Sequence, residues 1–145
     1  MAEVVAQVSG RLESRGDSGG PQEEFVFEPG RMRVLGGTIK GPFYADDARL
    51  DGKALYTFNE DFLRPNLGSV WTVSALIEND SGSWAGILQD WGTPEGTWPD
   101  ALSGVLSGDG AYEGQSAYLQ FTPTDDNNAL AFNGYVFPGE MPEAP

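Results

Sequence analysis

Glycine and proline punctuate this chain from end to end: twenty glycines and ten prolines are spread over its 145 residues and do not gather in one linker. No stretch keeps apolar residues at helical spacing for three turns without meeting one of them, and both weaken helix interiors. Between them lie short β-rich runs, the pattern of strands separated by turns. The expected class is therefore all-β, with at most a turn or two of helix.

The runs predict eight strands: Val4 to Glu13, Glu24 to Ile39 with a break at Pro29-Gly30, Gly52 to Phe58, Ser69 to Glu78, Ser83 to Trp91, Ala101 to Ser107, Gln115 to Phe121 and Ala129 to Phe137. Four connections are compact and turn-rich: Arg15 to Gly20, Asn79-Asp80-Ser81-Gly82, Gly108-Asp109-Gly110, and Thr124 to Asn128. Links this short join antiparallel neighbours, because a parallel pair needs a crossover of about a dozen residues or more. A four-residue turn after Glu78 sets Glu78 against Ser83 and Ile77 against Trp84. One face then carries Trp71, Val73, Ala75, Ile77, Trp84, Gly86 and Leu88, the other Thr72, Ser74, Glu78, Ser83 and Gln89. A sandwich satisfies that alternation as well. A meander favours a closed antiparallel β-barrel of about eight strands, since closure removes exposed edges, and the length suits one such domain over residues 1–145.

The formal net charge of −14, from 22 acids against 8 bases, repels phosphate backbones and anionic headgroups. Nucleic acid and membrane surfaces are therefore poor partners, while a homo-oligomer stays open. An acid at position 3 and the lack of any apolar run near the roughly 18 residues of a membrane span point to a cytoplasmic chain or a processed mature form. There is no cysteine and no histidine, which removes disulfides, thiolate nucleophiles, most zinc sites and imidazole acid-base chemistry. No phosphate-cradling or dinucleotide-binding glycine motif is present, so no cofactor is expected.

Gly16-Asp17-Ser18-Gly19-Gly20-Pro21 matches the string around the nucleophilic serine of chymotrypsin-like proteases, but no imidazole exists to take the serine proton. It reads as a Gly-Ser loop, and the overlapping Arg15-Gly16-Asp17 with it. Lys40 and Lys53, the only lysines, are expected in solvent. Asp46-Asp47-Ala48-Arg49-Leu50-Asp51-Gly52 is either a polar clamp at a barrel mouth or a loop in which Arg49 pairs with a neighbouring carboxylate. Asp125-Asp126-Asn127-Asn128 and Asn79-Asp80 lack the spacing of an EF-hand calcium loop and read as turns.

Aromatic residues are the richer signal. Tyr56, Phe58, Trp71, Trp84, Trp91, Trp98, Tyr118, Phe132 and Tyr135 fall on or beside the expected strands. An eight-stranded barrel has room to be filled by such side chains or to hold one small ligand, and both outcomes stay open. In the pocket reading, Tyr56, Phe58, Trp71, Trp84 and Trp91 line the ligand, with Trp71 and Trp84 at opposite ends of the cavity. Tyr56, Tyr118 and Tyr135 offer hydroxyls to a carbonyl or enol oxygen, and Asp90, beside Trp71, is the inward carboxylate that gives or takes a proton, so Asp90, Tyr118 and Tyr135 are the catalytic candidates. A register shifted by one residue instead turns Gln89 and Trp91 inward.

The segment Gly104-Val105-Leu106-Ser107-Gly108-Asp109-Gly110-Ala111-Tyr112-Glu113-Gly114, followed by a strand, resembles the Gly-x-Gly-x-aromatic-x-Gly turn of the allene oxide cyclase and dirigent barrels. Ser83-Trp84-Ala85-Gly86 and Asp47 to Gly52 also resemble strings of small bacterial barrels of this kind. The resemblance implies that Tyr112 plugs the barrel base, a structural role. It further implies a cofactor-independent cyclase or isomerase acting on a hydrophobic, polyketide- or lipid-like molecule, as in allene oxide cyclases, dirigent proteins and bacterial Diels-Alder barrels. The alternative is a non-catalytic barrel that binds a small ligand or serves a structural role.

Overall fold

The computed structural model describes residues 5–13, 18–19, 23–28, 31–62, 68–92, 101–124 and 129–139. Its elements are β1 (Ala6–Glu13), β2 (Ser18–Gly19), β3 (Glu23–Glu28), β4 (Arg31–Ala45), β5 (Gly52–Phe62), β6 (Ser69–Glu78), β7 (Gly82–Gly92), β8 (Leu102–Gly110), β9 (Gln115–Pro123) and β10 (Ala129–Pro138). Among the described residues there is no helix. From β4 to β10 each strand pairs antiparallel with the next, and β10 pairs with β1. β1 then closes on β4, from Gly10 opposite Ala45 to Leu12 opposite Phe43. Eight strands thus form a closed barrel in meander order, the architecture the turn spacing implies.

Two strands stand outside the expected set. One flank of the fifteen-residue β4 runs beside β5, while the other is shared in succession by β1, β2 and β3. Ser18 and Gly19, expected in a loop, pair with Ile39 and Thr38. The expected Glu24-to-Ile39 strand is a hairpin whose second arm continues past Lys40 to Ala45, and β5 continues past Phe58 to Phe62. Both extensions run through polar or Gly-Pro sequence, where local propensity is weak and the neighbouring strand supplies the pairing. A bulge separates Val34, opposite Glu60, from Gly37, opposite Phe58. Gly36 occupies it at φ 81, a left-handed conformation that glycine adopts without Cβ strain, and its amide donates to Asn59 Oδ1 at 3.1 Å. The extra residue keeps both Val34 and Gly37 buried, on the side that meets Glu60 and Phe58.

The β6–β7 hairpin has the register expected from sequence, Ile77 opposite Trp84 and Glu78 opposite Ser83. Inward positions mix large and small residues around the barrel: Tyr56, Ala75, Gly86, Leu106, Ala117 and Val136 follow one another across successive strands. The space beside the small residues is filled by an aromatic cluster. Phe43 stacks on Phe132 at 4.6 Å, and Phe121 meets Phe132 at 5.5 Å and the edge of Tyr56 at 5.4 Å.

Candidate functional site

The base of the barrel is the end at which the 46–51, 79–81 and 111–114 connections meet. Trp84 lies there fully buried, stacked on Tyr112 at 5.2 Å with the planes 16° apart. The indole N–H donates to Arg49 O at 2.8 Å, and the Tyr112 hydroxyl donates to Asn79 Oδ1 at 2.9 Å. Gly108 makes the arrangement possible, because a Cβ there would stand 2.2 Å from Tyr112 O. Gly110 turns the chain at φ 66. Trp84, expected along a ligand wall, is fully buried at the base and stacked on Tyr112.

The Asp46-to-Gly52 segment ties this plug down. Arg49 donates to both carboxylate oxygens of Asp47, at 3.0 and 2.7 Å, and to Gln115 Oε1 at 2.7 Å. The hydrogen-bonded guanidinium holds the Asp47 carboxyl below the usual carboxylate range, against the opposing effect of burial. Asp46 accepts from the Ser9 amide and hydroxyl, and Asp51 from the Ala45 amide. These acids are committed to the fold, which makes the segment the paired loop among its two expected readings.

In the middle of the barrel Tyr56 is fully buried, and its hydroxyl has no hydrogen-bond partner among the described residues. Burial pushes this phenol well above its ordinary value of 10.0, so it stays a neutral O–H donor. A buried hydroxyl left unpaired costs on the order of 1–3 kcal/mol, which gives any ligand oxygen that reaches it a ready partner.

Toward the other end a row of three inward residues crosses neighbouring strands. Glu60 on β5 stands opposite Trp71 on β6, which stands opposite Asp90 on β7. Two strand spacings separate the backbones bearing the carboxylates, about 10 Å, with the indole between them. Phe58 meets the Trp71 ring at 5.3 Å. The half-buried Glu60 accepts from Ser69 Oγ at 2.6 Å, and burial raises its carboxyl above the ordinary 4.5 while that hydrogen bond lowers it. Asp90 accepts from the Ala101 amide at 2.8 Å.

The structure therefore brings Tyr56, Phe58, Trp71 and Asp90 to the barrel interior. Tyr118 and Tyr135 are not among them. They face each other across β9 and β10 on the outer surface, because Ala117, Leu119 and Phe121, and Phe132 and Val136, take the inward positions. Neither hydroxyl reaches the interior. Trp91 pairs with Val70 through the backbone, which excludes the shifted register. The Trp91 side chain, Trp98, and residues 14–17, 20, 29–30 and 125–128 of the expected turns lie outside the described residues. Glu60 was missed because the third expected strand stops at Phe58; continuing its alternation through Tyr56, Phe58 and Glu60 finds it.

These features define the class: a closed antiparallel meander barrel with one plugged base, an aromatic middle and two inward carboxylates near the other end. Compared with known proteins, the chain matches no protein-family model and no curated protein.

Proposed function

We propose that this barrel is a cofactor-independent cyclase or isomerase that takes a hydrophobic small molecule carrying a carbonyl or enol oxygen into its interior. The observation that carries the reading is the Tyr56 hydroxyl, buried in an aromatic interior with no partner among the described residues. A neutral phenol in a dry site is suited to donate to an oxygen on which charge develops, where a hydrogen bond is worth more than in water. Glu60, its carboxyl held in the protonated form to higher pH than usual, gives or takes the proton, and Asp90 flanks the same indole. Trp71 and Phe58 supply the apolar wall against which one conformer of the substrate is held. The resemblance to allene oxide cyclase and dirigent barrels, in which the glycine-rich turn and its aromatic close one end, supports the same reading.

The second reading, a non-catalytic ligand-binding or structural barrel, is favoured by the stacked Phe43, Phe121 and Phe132, which fill much of the middle. Prodan, an apolar naphthalene whose carbonyl emission shifts on accepting a hydrogen bond, separates the two. The proposal expects saturable, blue-shifted binding that Trp71→Ala weakens, and a further blue shift in Tyr56→Phe as the hydrogen bond is lost. Absence of saturable binding to the wild type would leave the structural reading standing.

A further inference from the structure

β3 has the sequence Glu-Glu-Phe-Val-Phe-Glu and pairs only with β4 among the described residues. Neither face of it is buried, with Phe25 45%, Val26 71% and Phe27 60% exposed. Alternate residues of a strand point to opposite sides, so exposure of all three shows that β3 stands off the barrel wall. Three neighbouring exposed apolar residues on an edge strand are a liability unless something covers them.

Farther along the same β4, on the outer surface, is a groove of about 430 Å3 lined by Lys40, Gly41, Pro42, Lys53, Ala54, Leu55 and Glu78. Its lining is mostly apolar, and Leu55 is among the large exposed hydrophobic residues. Both lysines of the chain flank it. Arg11, Arg33 and Arg49 are paired with Glu13, Asp61 and Asp47, whereas neither lysine has an ion-pair partner among the described residues. On a chain of net charge −14, this is where, among the described residues, unpaired lysines and apolar surface coincide, beside one lining carboxylate, Glu78.

The geometry points to a second copy of this chain as the occupant of that groove, its β3 laid across it. Glu23 and Phe25 share one face of β3, so the Phe25 ring meets the apolar lining while Glu23, at the head of the strand, meets Lys40 and Lys53. A chain this acidic repels its own copies except where the local charge changes sign, which favours this groove among the described surfaces. Both surfaces lie along β4, so a two-fold axis lets each copy give its strand and receive its partner's. Pairing β3 directly with β3 would instead set glutamates against glutamates.

Sedimentation equilibrium with charge-reversed variants tests this. The wild type is expected to dimerise, and both Lys40→Glu/Lys53→Glu and Glu23→Lys to weaken the dimer at least about tenfold. The chain carrying all three substitutions should dimerise again, as should an equimolar mixture of the two reversed variants. Lys40→Gln/Lys53→Gln serves in place of any variant whose circular dichroism shows lost strand structure, and should also weaken the dimer. A wild type that stays monomeric at every concentration overturns the proposal. So does a dimer indifferent to either reversal, or reversals that do not rescue each other.

Discussion

Trp84 lies flat on Tyr112, ring centroids 5.2 Å apart and planes 16° from parallel, and each ring spends its one polar hydrogen on a different part of the same base: Arg49 O and Asn79 Oδ1. The plug is thus a packing contact and a hydrogen-bond network at once. Tyr112→Phe keeps the stack and removes one of the three donors to Asn79 Oδ1, which still accepts from the Ser81 and Gly82 amides, at an expected cost of about 1 kcal/mol or less. Tyr112→Ala removes the ring and opens the base, costing roughly 3–5 kcal/mol. Urea denaturation of both variants checks the order; equal losses would show that the hydroxyl, not the ring, holds the base.

Tyr56 makes the opposite prediction. Its hydroxyl is buried without a partner, so Tyr56→Phe removes an unmet polar group and leaves the edge contact with Phe121 in place. Stability should be unchanged or higher by up to about 1 kcal/mol, while affinity for a carbonyl ligand falls. A loss of stability in the ligand-free protein would mean that the hydroxyl is already engaged.

Glu60 sets a pH dependence. Because burial raises its carboxyl in the folded state, the native protein binds the proton to higher pH than the unfolded chain does. Its contribution to stability therefore falls as pH rises from the unfolded value near 4.5 through the raised folded one, and is flat beyond. Glu60→Gln, which still accepts from Ser69, should remove this slope and be the more stable protein above that window. Thermal melts across pH decide it, and parallel curves for the two proteins would count against the burial of the carboxyl. In the proposed reaction the same variant should lose most turnover while still binding prodan.

Tyr118→Phe and Tyr135→Phe act as outer-surface controls. Each should change stability by less than about 0.5 kcal/mol and leave prodan affinity and any turnover unaltered. A tenfold loss in either would place that tyrosine in the working site despite its outward position.

Much of the wall was legible because strand pairing here is local. The strand expected over Ser69 to Glu78 has the bounds of β6, and the Asn79-to-Gly82 turn alone sets Ile77 against Trp84. The outward position of Tyr118 is also legible in the sequence, since Ala117, Leu119 and Phe121 form the more apolar half of β9. The plug needed more: the Gly108–Tyr112 motif indicates a closed turn, but only the fold shows Trp84 beneath the ring.

The sequence by itself determined the alternation, the turns and hence the strand order, because each depends on residues a few positions apart. Tertiary structure decided what depends on distant partners. Closure of β1 on β4, the small β2 strand, the β3 edge and the run of β5 to Glu60 all rest on pairing partners that local propensity does not encode. So does the row of Glu60, Trp71 and Asp90, whose members come from three strands and meet only when the registers of two hairpins are fixed together.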